Sequence, residues 1–323
     1  MYGGNTIKRR RATMTTTLVN FADTATGWQR TLYAFLVEKE QRSGSRRTVE
    51  GYSRMLQDFF GRLGKQPDHV TSQDVFAYAH GPGLSGKQPS GITIGARIAC
   101  LSSFYRFLIR MDIVQSNPCD KLQRPQVSPS PPRGLSGDQV HQLLAVVPDT
   151  AVGLRDRAII LTLVLTGRRR AEVLSMKASN LIIEGDRVYY TYRGKGGKKG
   201  RRELPRPACE AIRAALGAFG KELATIPPDE SLWPSHSHQG KGLTSGTFYG
   251  NLQRYFRLAG IHPAGVHIFR HTAAKLRRDA GETVENVSQF LDHSSLAVTT
   301  IYLRRLEGEQ DRSWAKVAEA IGV

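Results

Sequence analysis

The sequence predicts a mainly α-helical protein that carries one small antiparallel β-sheet and is divided into two domains. Apolar residues recur at the spacing of a helix face over most of the 323 residues. Three short segments between Leu181 and Leu204 instead have the composition of strands joined by tight turns. The run PQVSPSPP at residues 125–132 contains four prolines, which favour an extended linker. We therefore predict a basic tail over residues 1–24, a helical domain over 25–122, a linker over 123–134 and an α+β domain over 135–323.

The first domain is predicted to be all-α, with four helices. Their apolar residues recur three and four positions apart over Trp28 to Leu36, Tyr52 to Leu63, Asp74 to His80 and Ile94 to Leu108. The segment from Gly81 to Gly91 is rich in Gly, Pro and Ser, which favours a loop. Asn117-Pro118 ends the helical region, because the residue before a proline avoids helical geometry.

The second domain is predicted to have a small sheet that interrupts a series of helices. Ser136 is the expected N-cap of the first helix, and an apolar helix from Arg155 to Leu165 leads to Thr166-Gly167. The strands are expected at Leu181 to Ile183, Arg187 to Tyr192 and Arg202 to Leu204, with a turn from Gly194 to Gly200. The later helices are expected at Ala171 to Met176, Pro207 to Phe219, Ser245 to Leu258, Ile268 to Asp279, Val284 to Leu291 and about 313–321.

The charge of the chain indicates a polyanionic partner. Lys and Arg outnumber Asp and Glu by 46 to 28, which gives a formal net charge of +18, and both domains are basic. Such an excess favours a protein that holds nucleic acid between its two parts. No apolar run approaches the roughly 18 residues of a membrane span, and no secretory signal is visible. Cys100, Cys119 and Cys209 are scattered and expected to be reduced, which favours the cytoplasm. We therefore expect a cytoplasmic, nucleoid-associated bacterial protein with no membrane partner.

Four motifs in the second domain supply the side chains that attack on a phosphodiester needs. They read TGRRRAEVL from Thr166, RGKGGKKGRRELP from Arg193, HIFRH from His267 and LDHSSLAVTTIY from Leu291. Guanidiniums bind phosphate oxygens bidentately and stay charged at any working pH, so they can stabilise the charge of the transition state. A lysine on a glycine-rich turn can donate a proton to the leaving oxygen. A tyrosine, whose phenol has a pKa of about 10, becomes a nucleophile once nearby cations lower that pKa or a base accepts its proton.

The order and spacing of these motifs resemble those of the tyrosine recombinases, the family of phage integrases, Xer proteins and Cre-like enzymes. The family pattern runs TGxRxxE, a GKG turn, HxxRH, and LGH followed by a tyrosine. The first domain is also similar to the family's core-binding domain, at Thr48, Tyr52 and Asn117-Pro118. The resemblance covers residues 25–323. It implies a SAM-like core-binding domain and an α+β tyrosine-recombinase catalytic domain that form a clamp on duplex DNA.

The resemblance also implies which residues carry the chemistry. The six implied catalytic residues are Arg169, Lys195, His267, Arg270, His293 and Tyr302. Tyr302 would be the nucleophile that forms a 3′-phosphotyrosine, and Lys195 would protonate the leaving 5′ oxygen. His267 would assist proton transfer, His293 would hydrogen-bond the scissile phosphate, and the two arginines would bind its non-bridging oxygens.

The chain departs from the family pattern at two places. Arg168 and Arg170 flank Arg169 where apolar residues are usual. This triplet leaves open which arginine faces the site. Asp292 stands before His293, where the family has glycine.

Further residues are expected to support the site or to contact DNA. Glu172 lies one helical turn after Arg169 and is expected to orient it by an ion pair, and His271 is expected to support the site. Basic side chains on the glycine-rich turn, on the strand after it and on two helices are expected to bind DNA. These residues are Lys198, Lys199, Arg201, Arg202, Arg97, Arg106, Arg254 and Arg257.

The function that these features predict is site-specific recombination of DNA. Cleavage and rejoining would pass through a 3′-phosphotyrosine and a Holliday junction, in the integration, excision or resolution of mobile DNA. We expect a homotetramer on two double-stranded sites, with the helix near 313–321 contacting a neighbouring protomer, and no cofactor, metal or ATP. The alternatives are a type IB topoisomerase-like strand transferase and a non-catalytic DNA-binding regulator. The need for an accessory DNA-bending protein and the DNA sequence itself stay open.

Overall fold

The computed structural model describes residues 28–83, 86–127, 134–193, 199–236 and 242–292, with the backbone alone at 193 and 199. Four predicted site residues lie outside the described residues: Lys195, Lys198, His293 and Tyr302. The predicted tail over 1–24 and the predicted helix near 313–321 also lie outside them. The chain divides into two compact units, Met1–Pro129 and Ser130–Val323.

Four α-helices form the described part of the first unit, as the apolar periodicity predicts. They are α1 (Trp28–Ser43), α2 (Arg46–Leu63), α3 (Ser72–His80) and α4 (Gly91–Arg110). Two of the boundaries follow from side-chain caps. Ser45 accepts the N–H of Thr48 at the start of α2, and Thr71 forms a reciprocal capping box with Asp74 at the start of α3. The caps satisfy N–H groups that have no partner within the first turn of a helix.

Helix α4 is the most extensively buried helix of the first unit. Phe104 on this helix contacts the rings of Phe35 and Phe60, at centroid distances of 5.3 and 5.7 Å. By length and composition α4 could cross a membrane, and no other helix among the described residues meets that test. The sequence pattern alone does not predict this helix as a membrane span. Its apolar side chains pack into the core shared with α1, α2 and α3, so the structure accounts for them as the centre of a helical bundle.

The second unit contains the sheet and seven described helices. The helices are α5 (Gly137–Ala145), α6 (Ala151–Thr166), α7 (Arg170–Leu174), α8 (Arg206–Ala218), α9 (Ser245–Leu258), α10 (Ile268–Asp279) and α11 (Val284–Phe290). The strands are β1 (Leu181–Glu184), β2 (Arg187–Arg193) and β3 (Lys199–Glu203). The predicted N-cap is present: the Ser136 hydroxyl accepts the N–H of Gln139, and the Gln139 side chain accepts the N–H of Ser136.

The sheet is antiparallel, in the order β1-β2-β3, so β2 pairs with both neighbours. Strand β3 begins at Lys199, three residues earlier than the sequence predicts. The run KGRRE has low intrinsic strand propensity, and its pairing with β2 overrides that preference. Gly200 lies against the ring of Tyr192, where an added Cβ would be 2.4 Å from the Cζ atom. A side chain at position 200 would therefore require the Tyr192 ring to move from its present place.

Helix α6 passes through the core of the second unit. Its side chains Ile159, Ile160 and Leu163 are fully or almost fully buried, and α6 packs extensively against α8. Trp233 is also fully buried and donates its ring N–H to the carbonyl of Val173 at 2.6 Å. The helix is apolar on nearly all sides, which is typical of the central helix of a domain.

A buried ion pair within α6 is hydrogen-bonded to α9. The side chains of Arg155 and Asp156 are 1% and 0% exposed. Arg155 donates to one Asp156 oxygen from Nε at 3.1 Å and Nη2 at 2.9 Å, and to the carbonyl of Pro234 from Nη1 at 2.8 Å. The other Asp156 oxygen accepts from Asn251 at 2.7 Å and from the hydroxyl of Tyr255 at 3.0 Å. These bonds compensate two charges that would otherwise be desolvated without partners.

We expect Asp156→Ala to lower the free energy of unfolding by about 3 to 5 kcal/mol, because it leaves the Arg155 guanidinium buried without a counter-charge. The matched control is Asp229→Ala, which breaks an ion pair with Lys177 in which Asp229 is 98% exposed. That change should cost less than about 1 kcal/mol. Urea unfolding followed by circular dichroism measures both. A loss in Asp156→Ala no larger than in the control would contradict this prediction.

Candidate active site

The turn after α6 brings the ends of three helices together. Gly167 ends α6 in a left-handed conformation with φ of 60° and donates its N–H to the carbonyl of Leu163 at 3.0 Å. A Cβ at Gly167 would lie 2.7 Å from side-chain atoms of both Phe290 and Leu291, so the end of α11 packs directly on the turn. The Gly167 carbonyl accepts from Arg270 of α10 at 2.7 Å. The glycine of the motif is therefore required for its backbone conformation and for this close approach.

The arginine triplet after this turn places one side chain inside the protein and one at its surface. Arg168 is 2% exposed, and its guanidinium donates to the carboxylate of Asp292 and to the carbonyl of Phe290. Arg169 is 36% exposed, and its Nη1 donates to Glu172 Oε1 at 2.9 Å. The other Glu172 oxygen accepts the backbone N–H of Arg169 at 3.0 Å. Arg169 is thus oriented by Glu172 and open to an outside ligand, and Arg170 is also partly exposed, whereas Arg168 makes an internal contact.

Arg270 is a second buried cation close to this turn. Its side chain is 5% exposed and donates to the carbonyls of Gly167 at 2.7 Å and Leu291 at 2.5 Å. A guanidinium has five N–H groups, more than these two bonds use. Burial, and then the positive charges of Arg169 and Arg168, lower the pKa of Arg270 to about 10, so the side chain stays charged at neutral pH. An anion bound here would offset this concentration of positive charge.

His267 directly precedes α10, three residues before Arg270. His267 is exposed, and its ring lies edge-on to that of His271 with the centroids 4.9 Å apart. Desolvation by the surrounding protein, and then the positive charges of Arg270, Arg169 and Arg170, lower the pKa of His267 below its usual value. These effects favour the neutral imidazole, which is the form that can accept a proton.

A second group of charges lies at the end of α11. One Asp292 oxygen accepts from Arg168, and the other accepts from Nη2 of Arg202 at 2.8 Å. Arg202 also donates to the carbonyls of Phe290 at 2.8 Å and Gln289 at 2.9 Å. The sequence predicts Arg202 as a DNA contact, whereas the structure uses its guanidinium to hold the end of α11. The sequence does not predict this contact, because Arg202 and Asp292 lie 90 positions apart and only their opposite charges connect them.

Three of the six predicted catalytic residues are described, and the structure brings these three together. Arg169, His267 and Arg270 are close enough for the charges of the two arginines to lower the pKa of His267. Lys195, which falls in the connection between β2 and β3, lies outside the described residues, as do His293 and Tyr302. The assignment of all six to catalysis stays a prediction.

The predicted DNA-contacting arginines differ in how accessible they are. Arg106 on α4 is exposed, and so are Arg254 and Arg257 on α9. Arg201 on β3 is 45% exposed and forms an ion pair with Glu184 at 2.5 Å. These four side chains can reach an outside phosphate, and they stay predicted contacts.

Arg97 does not fit the predicted DNA contact. Its side chain is 8% exposed, and Nη1 donates to the carbonyls of Tyr78 at 2.8 Å, Ala79 at 3.2 Å and Gly81 at 2.7 Å. These carbonyls lie at the end of α3, where a helix leaves its last acceptors without partners. The prediction for Arg97 was wrong because α4 turns this side chain into the bundle, where it satisfies the end of α3.

Both parts of the chain match family models. The phage integrase family matches residues 133–309, and the phage integrase N-terminal SAM-like domain matches residues 30–112. The chain belongs to the phage integrase family. It is therefore a tyrosine recombinase, a DNA strand transferase of the site-specific recombinase class, and the fold class that the sequence predicts is confirmed.

Individual relatives agree with this assignment. The chain is 30% identical over 269 residues to tyrosine recombinase XerC of Alcanivorax borkumensis, covering 81% of this chain and 84% of that protein. It is 28% identical over 269 residues to XerC of Roseiflexus castenholzii, with 81% and 84% covered. Among solved structures it is similar to the XerH site-specific recombinase bound to palindromic difH substrate in a post-cleavage complex. That similarity has a TM-score of 0.66 at 20% identity, covers 90% of this chain and 86% of the other, and establishes the fold.

We expect the His267 ring to titrate below the usual histidine pKa of about 6.5 in the DNA-free recombinase. The carbon–proton signal of this ring in a two-dimensional nuclear magnetic resonance spectrum is assigned with His267→Gln. Its change with pH gives the midpoint of the titration. Arg170→Gln should raise that midpoint, because it removes one of the positive charges that disfavour the imidazolium. The control Arg213→Gln changes an exposed arginine of α8 and should leave the midpoint where it is. A midpoint at or above 6.5, or equal shifts in both variants, would refute the prediction.

Proposed function

We propose that this recombinase cleaves and rejoins double-stranded DNA at specific sites through a 3′-phosphotyrosine at Tyr302, with strand exchange through a Holliday junction. The observation that carries the proposal is the meeting of Arg169, His267 and Arg270 beside the turn at Gly167. Two cations and a neutral imidazole at one place suit the binding of a phosphodiester and the removal of a proton next to it.

The proposed chemistry consists of two transesterifications. The phenol oxygen of Tyr302 forms a bond to phosphorus while the bond from phosphorus to the 5′ oxygen breaks. The phenol proton passes to His267, and Lys195 supplies a proton to the leaving 5′ oxygen. A 5′ hydroxyl from the partner strand then reverses these steps and releases Tyr302. The phosphotyrosine keeps the energy of the broken phosphodiester, so the exchange needs no ATP.

The arginines would act mainly on the transition state. Arg270 and Arg169 would each bind a non-bridging phosphate oxygen, where charge increases as the tyrosine attacks. Because Arg270 is held by two carbonyls and Arg169 by Glu172, both cations are oriented before DNA arrives. We propose His293 as a further phosphate ligand and His271 as a supporting residue beside His267.

We propose that the two domains hold the duplex between them. The helical domain would span 25–122, the linker 123–134 and the catalytic domain 135–323, with residues 1–24 as a basic tail. The net charge of +18 and the exposed Arg106, Arg201, Arg254 and Arg257 support this arrangement. Lys198 and Lys199 would add phosphate contacts next to the proposed acid Lys195.

The assembly that strand exchange needs is a homotetramer on two DNA sites. Each site has two scissile phosphates, one on each strand, and one protomer would act at each of them. We propose that such an assembly acts in the cytoplasm on mobile DNA, by integration, excision or resolution. The relatedness to XerC proteins and the solved XerH–difH complex support recombination sites as the DNA partner.

We expect the wild-type protein to form a covalent adduct with nicked suicide duplexes, and Tyr302→Phe to form none, because the variant lacks the attacking oxygen. The duplexes would first be selected from a random pool by binding to this protein. Denaturing gel electrophoresis detects the adduct. Tyr33→Phe is the control, since it removes a hydroxyl from a half-buried tyrosine of the first unit. Absence of a wild-type adduct on the selected duplexes, or an equal adduct from Tyr302→Phe, would contradict the proposal.

We expect four protomers and two duplexes in the active complex, because exchange between two sites needs a nucleophile for every strand. Analytical ultracentrifugation of Tyr302→Phe with an intact selected duplex measures this stoichiometry without cleavage. The same measurement without DNA is the control for association of the protein alone. A single protomer on a single duplex, together with relaxation of supercoiled plasmid by the wild type, would indicate a topoisomerase-like enzyme instead.

A further inference from the structure

The two places at which this chain departs from the family pattern are in contact with each other. Arg168 replaces an apolar residue next to Arg169, and Asp292 replaces glycine next to His293. In the structure the Arg168 guanidinium donates to the Asp292 carboxylate across 124 positions of sequence. The first departure therefore supplies the counter-charge for the second.

The backbone explains why a substitution at position 292 needs compensation. Asp292 has φ of 51°, and only Asp112 shares a positive φ among the described residues other than glycine. This left-handed region is open to glycine and strained for most side chains, although aspartate tolerates it better than most. A glycine at this position would take the same conformation without strain. The aspartate must therefore be held by its side-chain contacts.

The carboxylate of Asp292 has such contacts on both oxygens. Arg168 donates to one oxygen, and Arg202 donates to the other at 2.8 Å. Partial burial alone would raise the pKa of Asp292, but hydrogen bonds from Arg168 and Tyr192 outweigh it, so the pKa lies below its usual value. The Arg168 guanidinium also lies over the ring of Tyr192, 4.2 Å from the centroid. The carboxylate thus stays ionised between two guanidiniums.

The same arginines also hold the chain just before Asp292. Arg202 donates to the carbonyls of Gln289 and Phe290, and Arg168 donates to that of Phe290. Together with the Asp292 bonds, these contacts fix the last residues of α11 and the residue after it. The next residue in the chain is the proposed phosphate ligand His293.

We infer that Arg168, Asp292 and Arg202 form a positioning cluster, which fixes the chain before His293 relative to Arg169 and Arg270. The inference rests on the proposed function. It adds to that function the residues that align His293 with Arg169 and Arg270. An ion pair takes the place of the apolar residue and the glycine of the family pattern. None of the three residues is proposed to contact the reacting atoms.

The cluster predicts a specific pattern in single and double variants. Asp292→Gly relieves the backbone strain but leaves Arg168 buried without its counter-charge. Arg168→Leu removes the cation but leaves Asp292 in a strained conformation with one partner fewer. Either change should slow cleavage by roughly tenfold to a hundredfold, since small displacements of catalytic groups have effects of that size. The double variant Arg168→Leu with Asp292→Gly restores the family pattern and should cleave within about threefold of wild type.

Single-turnover cleavage of the selected suicide duplex at saturating protein measures the rate of the chemical step. Fluorescence anisotropy gives the dissociation constant for the same duplex, and thermal melting shows that each variant is folded at the assay temperature. The cluster should affect the cleavage rate and leave DNA affinity within about twofold, because it contacts no phosphate. Asp292→Asn keeps the shape of the side chain without its charge and should also be slow. The control Arg206→Leu breaks an exposed ion pair with Glu210 and should match wild type.

The outcomes separate this inference from the proposed function. Slow single variants with a fast double variant support the positioning cluster. Folded single variants that cleave at the wild-type rate overturn it, while the wild-type adduct still supports the recombinase chemistry. If a single variant does not fold, the cleavage rate of the double variant tests the inference. A folded double variant that cleaves as slowly as Asp292→Asn overturns it. A wild-type protein that forms no adduct refutes the proposed function and the positioning role with it.

Discussion

Two hydrogen bonds from the buried guanidinium of Arg270 are the contacts on which the rest of the site depends. They reach the carbonyls of Gly167 and Leu291 and so join α10 to the end of α6 and the end of α11. Arg168 follows the first of these carbonyls, and Asp292 follows the second. The guanidinium therefore fixes the two chain segments from which the neighbouring charged side chains extend. A lysine could not make both contacts in this geometry, because it lacks the planar fork of donors.

Positive charge is concentrated where α10 meets the ends of α6 and α11, and this region is partly desolvated. Burial and the charges of Arg169 and Arg168 lower the pKa of Arg270, and similar causes act on His267. The free protein thus carries a repulsion that a bound phosphate would relieve. Glu172 offsets part of the repulsion by pairing with Arg169, and it leaves that guanidinium partly exposed. This balance suits a site that must bind a polyanion and release it again.

Local patterns in the sequence predicted most of the elements, and contacts that those patterns do not encode caused the errors. The helix from Ser245 to Leu258 has the predicted bounds, because the spacing of its apolar residues follows directly from its buried face. Strand β3 begins earlier than predicted, since pairing with β2 overrides the low propensity of its residues. Arg97 was expected to bind DNA, yet the fold turns it towards the end of α3. Helical spacing alone did not show which face of α4 meets which neighbour.

The sequence by itself determined the family, the fold class and the kinds of side chain available for phosphate chemistry. Those properties depend on residue identity and on spacing within single helices and turns, which are local. The tertiary structure alone decided that Arg168 is turned into the protein and that Arg168 and Arg202 hold Asp292. Those contacts arise because Gly167 lets Phe290 and Leu291 pack against the turn after α6. Packing between such distant segments depends on the whole domain, so no local pattern in the sequence could specify it.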